Sequence, residues 1–364
     1  MKGGTTTGKK YRIAVLPGDG IGPEVTREAV KVLNRLEIDF EYLYCDVGSV
    51  AYAAAGTPLP AETVETCDEA DATLLGAVGY SYAPYGIPRI VPIHFRIERN
   101  AFANVRPLKL YPGAFAPDDP RSQSRVDAVV IRDINEGFAL EHEGYLWAEE
   151  GVDTRRVTEA GAQRVIEFAY KYAERESRKR VTCIDAHNLL FSDKVFRRAY
   201  QTVSVQYPNL ESECISVDVA AMMQTRDPKR FDIIVTSNIF GDIFSGIIIG
   251  QIGGVGMAPS ACVGNDFAFF EPVHGPAWDI AGKGVANPIG SILSAKMMVD
   301  WLGEKESGNT IERAVSGILV DGKVRTRDLG GSSRTWEVGD VISSFIEEDL
   351  MMGPVPPETT LLVE

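Results

Sequence analysis

Short apolar runs alternate along the chain with longer stretches whose apolar positions recur at helical spacing, the pattern of an α/β protein. Tyr11–Leu16 reads as a buried strand that stops at Pro17-Gly18-Asp19-Gly20-Ile21-Gly22-Pro23. Pro23 suits the first turn of a helix running to about Leu36. Further strands are expected at Phe40–Val47, Ala72–Leu75, Ala128–Ile131, Arg180–Asp185, Cys214–Val217 and Asp232–Val235. The clearest helix is 158–178. Thr158 caps it, Val165, Phe168, Ala169 and Tyr172 share a face, and Glu167/Lys171 and Glu174/Arg178 are favourable i,i+4 pairs. Helices are also expected at Ser291–Leu302 and Thr335–Glu348. The uncharged run 246–264 is broken by glycines, Gln251, Pro259 and Ser260, so it reads as buried turns and short elements rather than a membrane span. Gly353-Pro354-Val355-Pro356-Pro357 reads as a loosely held end.

The 364 residues suffice for two domains and a large core, with 45% hydrophobic and 24% charged. Lys plus Arg number 37 against 51 Asp plus Glu, a net charge of −14. Such a chain repels phosphate backbones and anionic membranes, which argues against nucleic-acid or membrane partners. Five scattered cysteines without a CxxC motif read as buried thiols of a reducing, cytoplasmic compartment. Met1–Lys10 lacks the apolar stretch of a signal peptide.

Three groups of residues carry candidate chemistry. Gly18, Gly20 and Gly22 follow a strand, but Pro23 stands where a dinucleotide fingerprint needs its third glycine, so a tight strand-to-helix turn is the stronger reading. Arg96, Arg99, Arg106 and Arg132 lie in or beside apolar segments. One such arginine reads as a structural ion pair, whereas several together fit a polycarboxylate. Asp218 and Asp242 sit near strand ends, as ligands of Mg²⁺ or Mn²⁺ or as helix caps. His274-Gly275-Pro276-Ala277-Trp278-Asp279 is turn-rich, and Asp279 is placed either in a surface loop or to accept from ribose hydroxyls.

In this order the segments resemble the β-decarboxylating dehydrogenases, the isocitrate/3-isopropylmalate dehydrogenase family, over roughly residues 11–345. The matching strings include Leu16-Pro17-Gly18-Asp19-Gly20-Ile21-Gly22-Pro23-Glu24, Asn104-Val105-Arg106-Pro107, Asn238-Ile239-Phe240-Gly241-Asp242-Ile243, Glu271-Pro272-Val273-His274-Gly275 and Asp279–Pro288. The resemblance implies a two-domain isopropylmalate-dehydrogenase-like α/β fold with a shared sheet system, not a true Rossmann fold. Residues 1–101 plus 253–364 would form the nucleotide-binding domain, and 102–252 the dimerisation and metal/substrate domain. It implies a homodimer or higher homo-oligomer with active sites shared between subunits, and NAD with a divalent metal as cofactors. By position Arg96, Arg106 and Arg132 match substrate-carboxylate arginines, and Asp218 and Asp242 match metal ligands. Asn188, His274, Gly275, Ala277, Asp279 and Asn287 match the cofactor site. Asp279 favours NAD over NADP by repelling a 2′-phosphate.

The chain departs from that pattern at its proton-transfer groups. Ala186 stands where the family has its lysine, and Phe138-Ala139 where a tyrosine is expected. Gly246 replaces an aspartate four residues after Asp242. General acid–base groups contribute about 10²–10⁴-fold each, so the losses matter. One reading is a diverged NAD-dependent dehydrogenase in which His187 acts as base and Tyr145 or His142 supplies the proton, with His94 a further candidate. The other is a non-catalytic paralogue or regulatory subunit that binds acid and nucleotide, with or without a catalytic partner. Ile90 and Pro92 favour an apolar γ-substituent on the acid, whereas Arg89 and Leu140-Glu141-His142-Glu143 suit an acidic one.

Overall fold

The computed structural model describes residues 9–79, 90–137, 144–146 and 148–352. Arg89, Phe138, Ala139 and Leu140–Glu143, His142 among them, lie outside these, as does the expected loose end at 353–357. Ten strands form one mixed sheet in the order β2-β1-β3-β12-β11-β4-β5-β10-β8-β9. They are β1 (Lys10–Gly18), β2 (Asp39–Tyr44), β3 (Ala72–Ala77), β4 (Ala103–Lys109), β5 (Asp127–Asp133), β8 (Arg180–Asp185), β9 (Glu211–Ser216), β10 (Ile233–Thr236), β11 (Pro259–Val263) and β12 (Ala268–Pro272). A separate hairpin joins β6 (Gly144–Leu146) to β7 (Gly151–Asp153). β11 runs antiparallel to both its neighbours and β4 antiparallel to β5, while the outer strands are parallel. This is the mixed α/β architecture expected, with β1–β3 and β11–β12 in the same sheet as β4, β5 and β8–β10.

The strands read from the sequence are present, with shifted ends. Val217 opens a helix, α7 (Val217–Arg226), instead of closing β9. α5 (Glu159–Arg175) is capped as expected, Thr158 Oγ1 accepting from Gly161 N at 3.1 Å. It stops before 178, because Ser177 turns to φ 54° and Arg178 swings to Asp127 and Asp232 at 2.7 and 3.0 Å. The i,i+4 pair with Glu174 is therefore not made, whereas Lys171 and Glu167 do approach. The first part of 246–264 is not a set of turns: α8 (Asn238–Gln251) runs through it before a short turn and β11. Packing of its buried side, with Phe244, Ser245, Ile248 and Ile249, keeps this apolar, glycine-containing segment helical where its own propensity would not. Among the described residues no helix is long and apolar enough to cross a membrane.

The glycine turn packs backbone against backbone. Gly18 and Gly20 have φ of 74° and 58°, and a Cβ on either would lie 2.0 Å from a carbonyl oxygen, of Ala77 and Pro276 respectively. Asp19 N donates to Ala77 O and Ile21 N to Pro276 O, at 2.7 and 2.8 Å. The buried Asp19 carboxylate accepts from Ser49 N and Gly79 N. The three glycines thus knit β1, the end of β3 and the 274–277 loop together, the strand-to-helix turn read from the sequence.

Candidate active site

β4 and β5 pair with Asn104 opposite Arg132 and Arg106 opposite Val130. Residues two apart share a sheet face, so Arg106 and Arg132 emerge side by side. α8 crosses that face. Its Asn238, Gly241, Asp242 and Ser245 follow i, i+3, i+4, i+7 spacing and line one side. Gly241 leaves room for the Arg132 stem, which a Cβ there would meet at 2.8 Å. Arg132 gives Nε and Nη2 to Asn238 Oδ1 at 3.0 and 2.7 Å, and Nη1 to Asp242 Oδ1 at 2.9 Å. Arg106 Nη1 donates to the same Asp242 oxygen at 2.8 Å and to Ser245 Oγ at 2.6 Å.

Arg96 arrives from α4 (Ile90–Ile97) and reaches Glu271 Oε1 of β12 at 3.2 Å. Its Nε and that of Arg106 are buried without a partner. Burial first, then the neighbouring Arg106, pushes the pKa of Arg132 down to about 9, with Asp242 opposing. Burial raises the Asp242 carboxyl, but Arg132 and Arg106 outweigh it and the net shift is downward. Three guanidiniums thus meet two carboxylates and retain unused donors, an arrangement suited to an anionic ligand. Arg99 is not part of it, since Asp68 holds it at 2.5 and 2.6 Å. Sequence reasoning missed Asn238, Ser245 and Glu271 as partners, although the helical spacing from Asp242 would have found the first two.

Asp218 lies exposed in the first turn of α7, and the described residues contain no group of three His, Cys, Asp or Glu able to hold a metal. Among the described residues, the donors of one chain therefore do not fit a divalent cation. At Gly246 a Cβ would meet nothing within 4 Å, so the replaced aspartate is missing without being crowded out.

The β8–α6 loop carries Ala186, His187 and Asn188, where α6 is Phe191–Ser204. Ala186 is 5% exposed and its N–H donates to Asp193 Oδ2 at 2.7 Å. Asp193 is fully buried and also accepts from Arg155. The His187 ring is held by Asp185 Oδ1 against Nδ1 at 3.1 Å and by Arg197 Nη1 against Nε2 at 3.4 Å. Arg197 also donates to both oxygens of Asp185. A substrate hydroxyl would have to displace Arg197 to reach Nε2. Asn188 is exposed. Tyr145 lies on β6, with its side chain outside the described residues. His94 keeps a buried, unpartnered Nε2, and burial, then Arg99, lowers its pKa.

In the loop after β12, His274 is buried, its Nδ1 donating to Gly275 O at 3.0 Å while Nε2 has no partner. Burial lowers the His274 pKa. Gly275 faces open space, Ala277 adopts φ 41°, and Asp279 is exposed. An orphaned buried nitrogen, an open glycine and an exposed carboxylate fit a nucleoside. Asn287 is committed elsewhere, accepting from Ile289 N and donating to Asp328.

The model of the family described as isocitrate/isopropylmalate dehydrogenase matches residues 12–342. The 3-isopropylmalate dehydrogenase of Methanothermobacter thermautotrophicus is 40% identical over 341 residues, covering 93% of this chain and all of that one. The homoisocitrate dehydrogenase of Methanocaldococcus jannaschii is 40% identical over 347 residues, covering 93% and 99%. The crystal structure of isocitrate dehydrogenase from Methylococcus capsulatus superposes with a TM-score of 0.86 at 33% identity, covering 93% and 99%. The chain belongs to the isocitrate/isopropylmalate dehydrogenase family. The crystal structure of a β-decarboxylating dehydrogenase from Thermococcus kodakarensis also superposes, with a TM-score of 0.81 at 35% identity, covering 94% and 98%.

Proposed function

We propose that the protein oxidises a 2-hydroxy polycarboxylic acid of the 3-isopropylmalate/isocitrate type with NAD, with or without decarboxylation, using diverged proton-transfer groups. The observation that carries the reading is the cluster of Arg96, Arg106 and Arg132 about Asp242, with two buried Nε atoms unpartnered. The ligand's carboxylates would join Asp242 and Glu271 as acceptors, on the face of β4 and β5 that α8 crosses. His274, Gly275 and Asp279 would hold the dinucleotide, which when bound accepts the hydride. His187, oriented by Asp185, takes the hydroxyl proton at Nε2 once Arg197 has moved off it.

The exposed Val219, Met222, Ile239 and Ile243 on α7 and α8 support association with a second copy, which would also bring an Asp218 to an Asp242. A divalent cation in this reading draws on both copies. Ile243→Asp should then shift sedimentation toward the monomer.

A second reading rests on the buried Ala186 and the doubly engaged His187: a subunit that binds acid and nucleotide without turnover. The deciding experiment is NADH formation by the purified protein with NAD, Mg²⁺ or Mn²⁺ and a panel of isocitrate, homoisocitrate, 3-isopropylmalate, malate and tartrate. Turnover that falls about 10²–10⁴-fold in His187→Ala establishes the diverged dehydrogenase. Silence across the panel, with NAD and an acid still binding by calorimetry, favours the binding subunit.

A further inference from the structure

Cys183 and Cys214 are register partners on the adjacent parallel strands β8 and β9. Neighbouring strands run about 4.8 Å apart, inside the roughly 4.4–6.8 Å Cα window of a disulfide. Paired positions of a parallel ladder point to one side, so the two thiols lie on the same face of the sheet on neighbouring strands. Cys183 is fully buried, whereas Cys214 on the outermost strand is partly exposed. Cys183 Sγ also donates to Asp185 Oδ2 at 3.8 Å, the oxygen that takes Arg197 Nε at 2.8 Å. The dithiol is thereby wired to the carboxylate that orients His187.

We propose that Cys183 and Cys214 form a redox-responsive dithiol that a hydroperoxide converts to a cross-strand disulfide, loosening the Asp185 anchor of the 186–188 loop. The Cys214 thiolate attacks one peroxide oxygen, breaking the O–O bond and becoming a sulfenic acid while hydroxide leaves. The Cys183 sulfur then attacks the Cys214 sulfur. The S–S bond forms, the S–O bond breaks, and the Cys183 proton leaves with the hydroxyl as water. Two thiols lose two electrons in all, and both peroxide oxygens are reduced to the level of water.

The surroundings assign the two roles. Cys214 is partly exposed on the outermost strand, so a peroxide reaches its sulfur first. Burial raises Cys183, which suits the second, resolving step. Once Cys183 is in a disulfide it no longer donates to Asp185 Oδ2. Asp185 Oδ2 then loses that restraint beside its Arg197 Nε contact, while Oδ1 is the oxygen that holds His187.

The test treats the folded full-length chain with hydrogen peroxide, alkylates the remaining thiols under denaturing conditions and maps peptides by mass spectrometry. The expected product is a 183–214 cross-linked peptide lacking two hydrogens, reversed by dithiothreitol and absent from Cys214→Ser, which leaves the buried Cys183 in place. Recovery of both cysteines alkylated, or Cys214 as sulfinic acid with Cys183 still a thiol, overturns the proposal. Hydrogen–deuterium exchange on the oxidised chain should be faster at 185–190 than on the reduced chain. A cross-link with unchanged exchange there refutes the coupling to the loop.

Discussion

Arg106 and Arg132 donate to one and the same oxygen, Oδ1 of Asp242, at 2.8 and 2.9 Å. Two cations on a single carboxylate oxygen, in a buried face, leave positive charge that Asp242 does not neutralise. A ligand carboxylate completes the balance, and the strands supply the fixed spacing for it.

Removing either arginine should therefore weaken acid binding. A hydrogen bond to a charged group contributes about 1.5–3 kcal/mol, so Arg106→Ala or Arg132→Ala should lower affinity about 10- to 100-fold. Calorimetric titration with the acid bound best by the parent measures this. Unchanged affinity in both variants would place the acid elsewhere.

Gly246→Asp should strengthen divalent cation binding, because the position is open and lies one helical turn from Asp242 on α8. A further carboxylate should tighten Mn²⁺ by about tenfold or more, equivalent to about 1.4 kcal/mol. Helix propensity does not oppose the change, glycine being the poorer helix former. Titration of Mn²⁺ into both proteins checks it, and equal affinities would mean that Asp242 stays committed to its arginines.

Asp133, at the end of β5, is 2% exposed, and burial pushes its pKa up to about 6, against the lowering hydrogen bond from Asn135 N. The folded chain thus holds this proton more tightly than the unfolded chain. Stability falls as pH rises from about 4 to 6, and the full penalty stands above that window. The shift corresponds to a cost on the order of 3 kcal/mol. Asp133→Asn keeps the acceptor and should raise stability at neutral pH while changing little at pH values below the window. Urea unfolding at the two ends of the range tests the sign, and a variant weaker at neutral pH would refute it.

Asp279 should set the choice of dinucleotide. It is exposed in the loop that follows β12, where its charge opposes a 2′-phosphate. Asp279→Ala should narrow the preference for NAD over NADP by up to about fivefold, the scale of one partly screened charge contact. Comparative titration of both cofactors reads this out, and NADP binding more tightly to the parent chain would contradict the assignment.

Much of this protein was legible from local pattern. Apolar runs located β1, β3, β5, β8 and β10, because a strand covered on both faces must be apolar along its length. Thr158 marked the start of α5, since an N-cap is a contact between near neighbours. The order of motifs identified the family. Arg96, Arg106, Arg132 and Asp242 were singled out as charges in apolar surroundings, which are costly unless partnered.

Tertiary structure decided what depends on residues distant in sequence. Arg178 left its expected helix for Asp127 and Asp232, and α8 ran through a segment whose glycines argued for turns. Arg99, indistinguishable in sequence from its neighbours, was claimed by Asp68, while Glu271 joined Arg96 from a strand 175 residues away. His187 and Ala186 were visible as substitutions, but only the fold revealed Arg197 across Nε2 and Asp193 beneath the loop. Local sequence determines which groups are costly to bury and which backbones can turn. Which charge meets which is set by sheet register and helix crossing, long-range packing that no single segment carries.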